Sequence, residues 1–281
     1  MDCITIEEIT EEFIDEFIEK ITNNSLNELE INDNIISFTN SYEEYKKIKI
    51  NNFSIDDFLY QISDALKINF SISKIKINDT RNINGMEYLS NALKFNSYIT
   101  ELNLIDCIEA DDFKYLGDAL KFNSSLYILN IFKSIADEDF KYFCEGLKIN
   151  SSLGELKLNH NFIHTEECKY LSDALKFNSS LSILDLSNNI IKDEGCIYLS
   201  EALKINSSLI SLNLSNNDIC DDDDCEYLIY SNVGLKFLSY ALKVNSSLVE
   251  LNLKGIDIEN EDLKYLSDAL EDNITLTELI I

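Results

Sequence analysis

The sequence contains no proline and no tryptophan, and only seven glycines in 281 residues. A flexible linker or hinge needs those residues, so the chain reads as one rigid body. Cations are scarce: 23 Lys and Arg stand against 51 Asp and Glu, a formal net charge of −28. Nucleic acid is thereby excluded as a ligand, because phosphate binding needs a basic face. Anionic membrane is disfavoured for the same reason, whereas a basic protein partner stays open. Long apolar runs are missing, so no segment has the length of a membrane span. The opening Met-Asp-Cys-Ile-Thr-Ile-Glu-Glu lacks the cationic and apolar regions of a signal peptide. The seven cysteines show no repeating disulfide spacing. Reduced thiols and a cytoplasmic location are expected, with the nucleus or a host-cell cytosol as equivalents.

What the chain has in abundance is a repeat. Leu181, Leu184, Leu186 and Asn189 give L-x-x-L-x-L-x-x-N, followed by a helical pattern from Lys192 to Asn206. Unit starts fall at Tyr45, Ile72, Ile99, Leu126, Leu153, Leu181, Leu209, Leu248 and Leu276, almost all 27 or 28 residues apart. A shorter unit precedes them, with Leu26, Leu29, Ile31 and Asn34 in register. Within each unit, positions such as Leu156 and Leu158 alternate with Glu155 and Lys157, the period of a half-buried strand. Leu171, Ala174 and Leu175 recur as Leu199, Ala202 and Leu203, placing a small residue where helix meets sheet. Asn69, Asn96, Asn123, Asn150, Asn178, Asn206, Asn245 and Asn273 follow the last helical turn. They are expected to be C-caps in the left-handed conformation that asparagine tolerates. That fixed place also explains the Asn-Ser-Ser tripeptides without glycosylation.

This spacing resembles the leucine-rich repeats of the ribonuclease-inhibitor-like class over residues 26–281. The resemblance implies an α/β solenoid with a parallel sheet on its concave face and helices on its convex face. Residues 1–25 are expected to cap it, through an amphipathic helix with Ile6, Ile9, Phe13, Phe17 and Ile21 on one face. About ten strand units follow, one of them holding an acidic insertion at 220–230. Asn34, Asn161, Asn189 and Asn217 are expected to bond the turns of neighbouring repeats. Cys107 is a substitute the family uses, and Thr80 and Ser134 are smaller polar versions. Phe53 and Ile256 cannot do this, so looser turns are expected there.

The residues left over after the repeat is subtracted are the functional candidates. Outward strand positions carry Lys47, Lys49, Lys74 and Lys76, expected as a basic patch on adjacent strands. Ile105, Ile128 and Phe132 put apolar groups just beyond it, where a solvated sheet would be polar. Together they suggest a protein ligand with an acidic segment and an apolar anchor. His160, His164 and Cys168 are four apart, but the register splits them between strand end and helix, and Cys168 recurs as Cys196 in a core position, which argues against zinc. The run Cys220 to Tyr230 lacks the spacing and glycine of a calcium loop. No catalytic constellation is present and no cofactor is implied. The expected function is a non-enzymatic protein-interaction scaffold. Alternatives are a regulator of a small GTPase, with Arg81 in a loop as the activating residue, or an inhibitor of a basic enzyme. A final strand around Leu276, Leu279 and Ile281 without a following helix suggests weak self-association.

Overall fold

The computed structural model describes residues 3–6, 11–23, 25–32, 35–40, 45–50, 54–78, 85–109, 111–132, 139–219 and 233–281. Its strands are β1 (Cys3–Ile6), β2 (Leu26–Asn32), β3 (Ile35–Asn40), β4 (Tyr45–Ile50), β5 (Lys74–Asn78) and β6 (Glu101–Ile105). The series continues with β7 (Ile128–Phe132), β8 (Glu155–Lys157), β9 (Ile183–Asp185), β10 (Ser211–Asn213), β11 (Glu250–Asn252) and β12 (Glu278–Ile280). The helices are α1 (Glu11–Thr22), α2 (Ile55–Ile68), α3 (Met86–Leu93), α4 (Asp112–Phe122), α5 (Phe140–Ile149), α6 (Thr165–Leu175), α7 (Asp193–Leu203), α8 (Val233–Val244) and α9 (Asn260–Asp272). One sheet runs in the order β1-β4-β3-β2-β5 and then sequentially to β12. From β2 through β5 to β12 every neighbouring pair is parallel. Strand then helix, repeated along a parallel sheet, is the leucine-rich-repeat solenoid.

Its core is one lengthwise cluster in which each repeat adds the same parts. Leu184 and Leu186 from the strand meet Cys196, Leu199 and Ala202 from the helix, and all are buried. Alanine or glycine on the helix lets it approach the sheet or its neighbour. The extreme case is the α4–α5 contact, where a Cβ added at Gly146 would stand 2.2 Å from Gly117 O.

The N-terminal end departs from the expected repeat. Residues 3–6 form a strand, and the helix starts at Glu11. β2, β3 and β4 make an antiparallel meander, and β4 pairs in parallel with β1. Pairing β2 with β3 in parallel would need a crossover of a dozen residues or more, whereas only two residues separate them. Phe17 of α1 anchors this end against Phe38 of β3 and Phe58 of α2, with ring centroids 5.5 and 5.3 Å apart.

Both edges of the solenoid are held by asparagine. On the helix-to-strand edge, Asn96 Nδ2 donates to Leu66 O (2.7 Å) and Asn69 O (2.9 Å) of the preceding repeat. Its Oδ1 accepts from the backbone N–H groups of Tyr98 and Ile99, both at 2.8 Å. The pattern recurs at Asn123, Asn150, Asn178, Asn206 and Asn245, all buried. Asn69, Asn123, Asn150 and Asn273 do cap their helices, but in extended and not left-handed backbone, as at Asn150 (φ −66, ψ 137), whereas α3, α6 and α7 end two residues earlier at Lys94, Lys176 and Lys204. The asparagine side chain satisfies an orphan carbonyl of the preceding helix, as Asn150 Nδ2 does at Leu120 O, and the chain runs straight on into the next strand.

Left-handed residues lie on the opposite edge. Asp106, His160, Asn188, Asn216 and Gly255 (φ between 53° and 77°) each precede the second asparagine position, and Phe162 (φ 54) follows it at Asn161. At this position Asn189 Nδ2 donates to Leu158 O (2.9 Å) and its Oδ1 accepts from Asn161 and Ile163 N–H. Cys107 Sγ reaches Ile77 O at 3.8 Å. Where Ile256 stands, the turn closes through its own N–H to Leu253 O (3.2 Å), and a Cβ at Gly255 would meet Asn216 Oδ1 at 2.2 Å. Asn34, Phe53, Thr80, Ser134 and the insertion 220–230 fall outside the described residues.

The two edges also differ in charge. Between helix and strand, seven successive connectors, 68–73, 95–100, 122–127, 149–154, 177–182, 205–210 and 244–249, hold no charged residue, in a chain 26% charged. Each opens on an apolar side chain: Ile68, Phe95, Phe122, Ile149, Phe177, Ile205 and Val244, all between 62% and 70% exposed. The strand-to-helix edge carries the acids that begin the helices, among them Asp112, Glu167, Asp193 and Asp262. Burial raises the Asp112 carboxyl to about 6, against the pull of its hydrogen bond from Glu109 N–H.

Two outcomes follow from this packing. Replacing Asn150 by Ala strands two carbonyls and two N–H groups, each costing about 1–3 kcal/mol when buried, so urea unfolding should show a loss of roughly 3 kcal/mol or more. A loss under about 1 kcal/mol would deny the ladder its role. A folded carboxyl at about 6 lies above its unfolded value of about 3.9, so ionised Asp112 costs stability at neutral pH and relieves that cost as pH falls. Wild type should therefore gain on Asp112→Asn between neutrality and mild acid, measured by denaturation at each pH.

Candidate functional site

The concave face is built from the outward residues of successive strands, and the pairing registers place them in rows. The first row runs Glu28, Lys74, Glu101, Ile128, Glu155, Ile183, Ser211, Glu250. The second runs Glu30, Lys76, Asn103, Asn130, Lys157, Asp185, Asn213, Asn252. All the first-row and second-row side chains from β5 to β9 are half-buried.

The four lysines are not on adjacent strands. Lys47 and Lys49 lie on β4, and β3 and β2 separate it from β5 with Lys74 and Lys76. The repeat period placed β4 one unit before β5, but the meander inserts two strands between them. Lys76 Nζ lies 2.8 Å from Glu30 and Lys74 Nζ 2.8 Å from Glu101. The bond to Glu101 raises the Lys74 pKa against the opposing effect of burial. Burial would raise the Glu101 carboxyl, but hydrogen bonds from Lys74 and Asn103 outweigh it and hold its pKa below the ordinary value. Further along, Asn103 Nδ2 donates to Glu101 Oε1 (2.8 Å), Asn130 Nδ2 to Asn103 Oδ1, and Lys157 pairs with Glu155. The basic patch is therefore a row of alternating charge.

A small cleft opens where the meander joins the repeats, lined by Glu28, Glu30, Ser37, Lys74 and Lys76. Ser37 is 1% exposed, and its hydroxyl has no hydrogen-bond partner among the described residues.

The apolar trio divides. Ile105 and Phe132 are direct partners across β6 and β7, while Ile128 sits at the other end of β7 opposite Glu101 and Glu155. A residue that periodicity did not single out joins the first two: His160 packs edge-on to Phe132, with ring centroids 5.0 Å apart. Its left-handed backbone (φ 60) turns it out of the strand's alternation. The result is an aromatic and aliphatic cluster at the strand-end rim, with Ile105 across from Phe132 and His160 against its ring.

His160 and His164 are exposed, whereas Cys168 is buried in the core. No metal-binding group of His, Cys, Asp or Glu occurs among the described residues. Cys168 and Cys196 occupy equivalent helix positions of successive repeats, where the preceding repeat has Phe140, while Cys144 aligns with Ser172 and Ser200; all three are buried free thiols. Burial pushes Cys144 and Cys168 well above the ordinary thiol range and Cys196 up to about 12. Arg81 lies outside the described residues. Among those described, no helix is long and apolar enough to cross a membrane.

No protein-family model and no curated protein matches the chain. Among solved structures it is similar to leiomodin-1 actin-binding site 2, at 21% identity and a TM-score of 0.46, over 57% of this chain and 88% of that one. It is also similar to a tropomodulin C-terminal domain from Caenorhabditis elegans, at 19% identity and a TM-score of 0.46, over 58% of this chain and 93% of that one.

Thiol labelling read by mass spectrometry checks the core reading of the cysteines. Cys107, Cys144, Cys168 and Cys196 should stay unmodified in the native protein and react in urea, since a buried thiol is not a thiolate. Rapid native labelling of Cys168 would restore a reactive or metal-binding role.

Proposed function

We infer that the chain is a non-enzymatic protein-interaction scaffold of ribonuclease-inhibitor-like repeats, taking a protein ligand against its concave sheet and the adjoining strand-to-helix loops. The observation that carries this is the cluster of Ile105, Phe132 and His160 at the rim of an otherwise polar and ion-paired sheet face. Aromatic side chains held on a rigid sheet anchor interfaces at little entropic cost. Next to that anchor, the lysine–glutamate pairs are half-exposed. Such pairs are worth about 0–1 kcal/mol, so an incoming acidic segment exchanges Glu30 and Glu101 for its own carboxylates at small cost. Ile128, Lys47, Lys49, Lys74 and Lys76 complete the contact surface in this reading. A cytoplasmic location goes with this reading, supported by the buried free thiols Cys107, Cys144, Cys168 and Cys196.

The test is quantitative capture of the ligand from the source cell, followed by affinity measurement with the purified pair. Phe132→Ala should weaken binding about 30-fold, the size of a hot-spot loss near 2 kcal/mol. Changing Lys47, Lys49, Lys74 and Lys76 together to Glu should abolish capture, while Phe177→Ala on the remote edge leaves it intact. Capture that survives both concave-face changes sinks the reading.

A further inference from the structure

The uncharged edge carries information that the concave face does not use. A solvated connector in so acidic a chain would collect charge, yet seven in succession have none, and each presents a largely exposed Ile, Phe or Val. The Asn ladder explains the buried residue of each connector. It does not explain the residue before it, whose side chain projects into solvent and would be better polar. Several lysines that precede these rungs are turned back on helix acids, as in Lys67–Asp64 (2.6 Å), Lys121–Asp118 (3.0 Å) and Lys176–Asp173 (2.9 Å), while Lys148 lies over the ring of Phe177, 4.2 Å from its centroid. The connectors themselves are apolar and uncharged, and most of the lysines beside them are paired, so the edge lacks the run of like charge that would select an acidic or a basic partner.

We propose that this edge is the contact between two copies of the chain, stacked edge to edge about a two-fold axis at Ile149. Three observations select a second copy. First, the rungs repeat at the spacing of packed helices, about 8–10 Å, and an identical edge turned end for end repeats at the same spacing. Antiparallel stacking sets Phe122 against the second copy's Phe177, Phe95 against its Ile205 and Ile149 against itself, the self-complementarity that a two-fold interface requires. Second, two molecules of charge −28 meet with least repulsion at the edge without charges. The acidic strand-to-helix edges then point away from each other, a whole strand length and more from the contact, beyond a Debye length of about 8 Å. Third, seven side chains that are about two-thirds exposed bury roughly 700 Å² per copy when covered. That is close to the ~800 Å² per partner of a specific interface. The hydroxyls of Ser124, Ser151 and Ser179 border the rungs and supply a polar rim.

The contact leaves the concave sheet open, so it is separate from ligand binding there. Sedimentation velocity of the full chain at increasing concentration tests it, with circular dichroism confirming the fold of each variant. Wild type should dimerise, and high salt should leave the association intact because apolar burial drives it. The triple change Phe122→Ser, Ile149→Ser and Phe177→Ser alters only exposed side chains and should weaken the dimer at least tenfold. Ser151→Cys should cross-link to its own copy with a short bismaleimide, because the axis places it beside itself. A wild type that stays monomeric to millimolar concentration overturns the proposal. A dimer that survives the triple change overturns it as well and places the contact elsewhere, β12 included. Monomers that bind phosphatidylcholine vesicles through the same rungs overturn it in favour of a lipid contact.

Discussion

The buried asparagine between each helix and the following strand is the interaction on which the rest of this molecule depends. Its amide is short enough to stay inside the turn and offers two donors together with an acceptor. The donors go backward to two carbonyls of the preceding repeat, and the acceptor goes forward to the N–H groups that lead into the next strand. One side chain therefore sets the distance between repeats and the angle at which each strand enters the sheet. Aspartate would lack the donors and bring a charge, and serine is too short for both tasks. The serine two residues on adds a second bond to the preceding repeat, as Ser125 does to Ile99 O (3.0 Å).

With the strands locked in register, the chemistry of the concave face becomes a matter of what stands opposite what. Glu30 faces Lys76 and Glu101 faces Lys74, so charges that look unbalanced along the chain are balanced across it. In the later repeats the second-row side chains turn inward to their own loops, with Asp185, Asn213 and Asn252 accepting from the N–H two residues on. That leaves Ile105, Phe132 and His160 as the place where the sheet offers more than self-satisfied polarity.

Much of this was legible in the sequence, because its causes are local. Leu184 and Leu186 alternate with Ile183 and Asp185 within five residues, and Leu199 and Ala202 share a helix face. A 27–28-residue repeat then multiplies each signal along the chain. The misreadings arose where pairing is non-local. Tyr45 precedes Ile72 by 27 residues, the spacing of a repeat, and only the antiparallel partnership of Ile36 with Ile31 and Ile48 reveals that β4 belongs to the meander. The contact of His160 with Phe132 was hidden for a different reason. It depends on a backbone angle, and a histidine at a strand end carries no periodic mark. The asparagines cap four helices but in extended backbone, and α3, α6 and α7 end at a lysine two residues before theirs, since residue type alone does not show whether side chain or backbone satisfies the helix carbonyls.

The parallel order of the repeats has an electrostatic consequence of its own. Helices that alternate with parallel strands all point the same way, so their N-termini are brought side by side along one edge. Each such terminus carries a partial positive charge of about half a unit, and aligned neighbours repel. Asp56, Glu87, Asp112, Glu166, Asp193 and Glu261 in the first turns are the counter-charge to that array. Much of the acidity of the chain is thus a condition of stacking helices in one direction, whatever the chain binds.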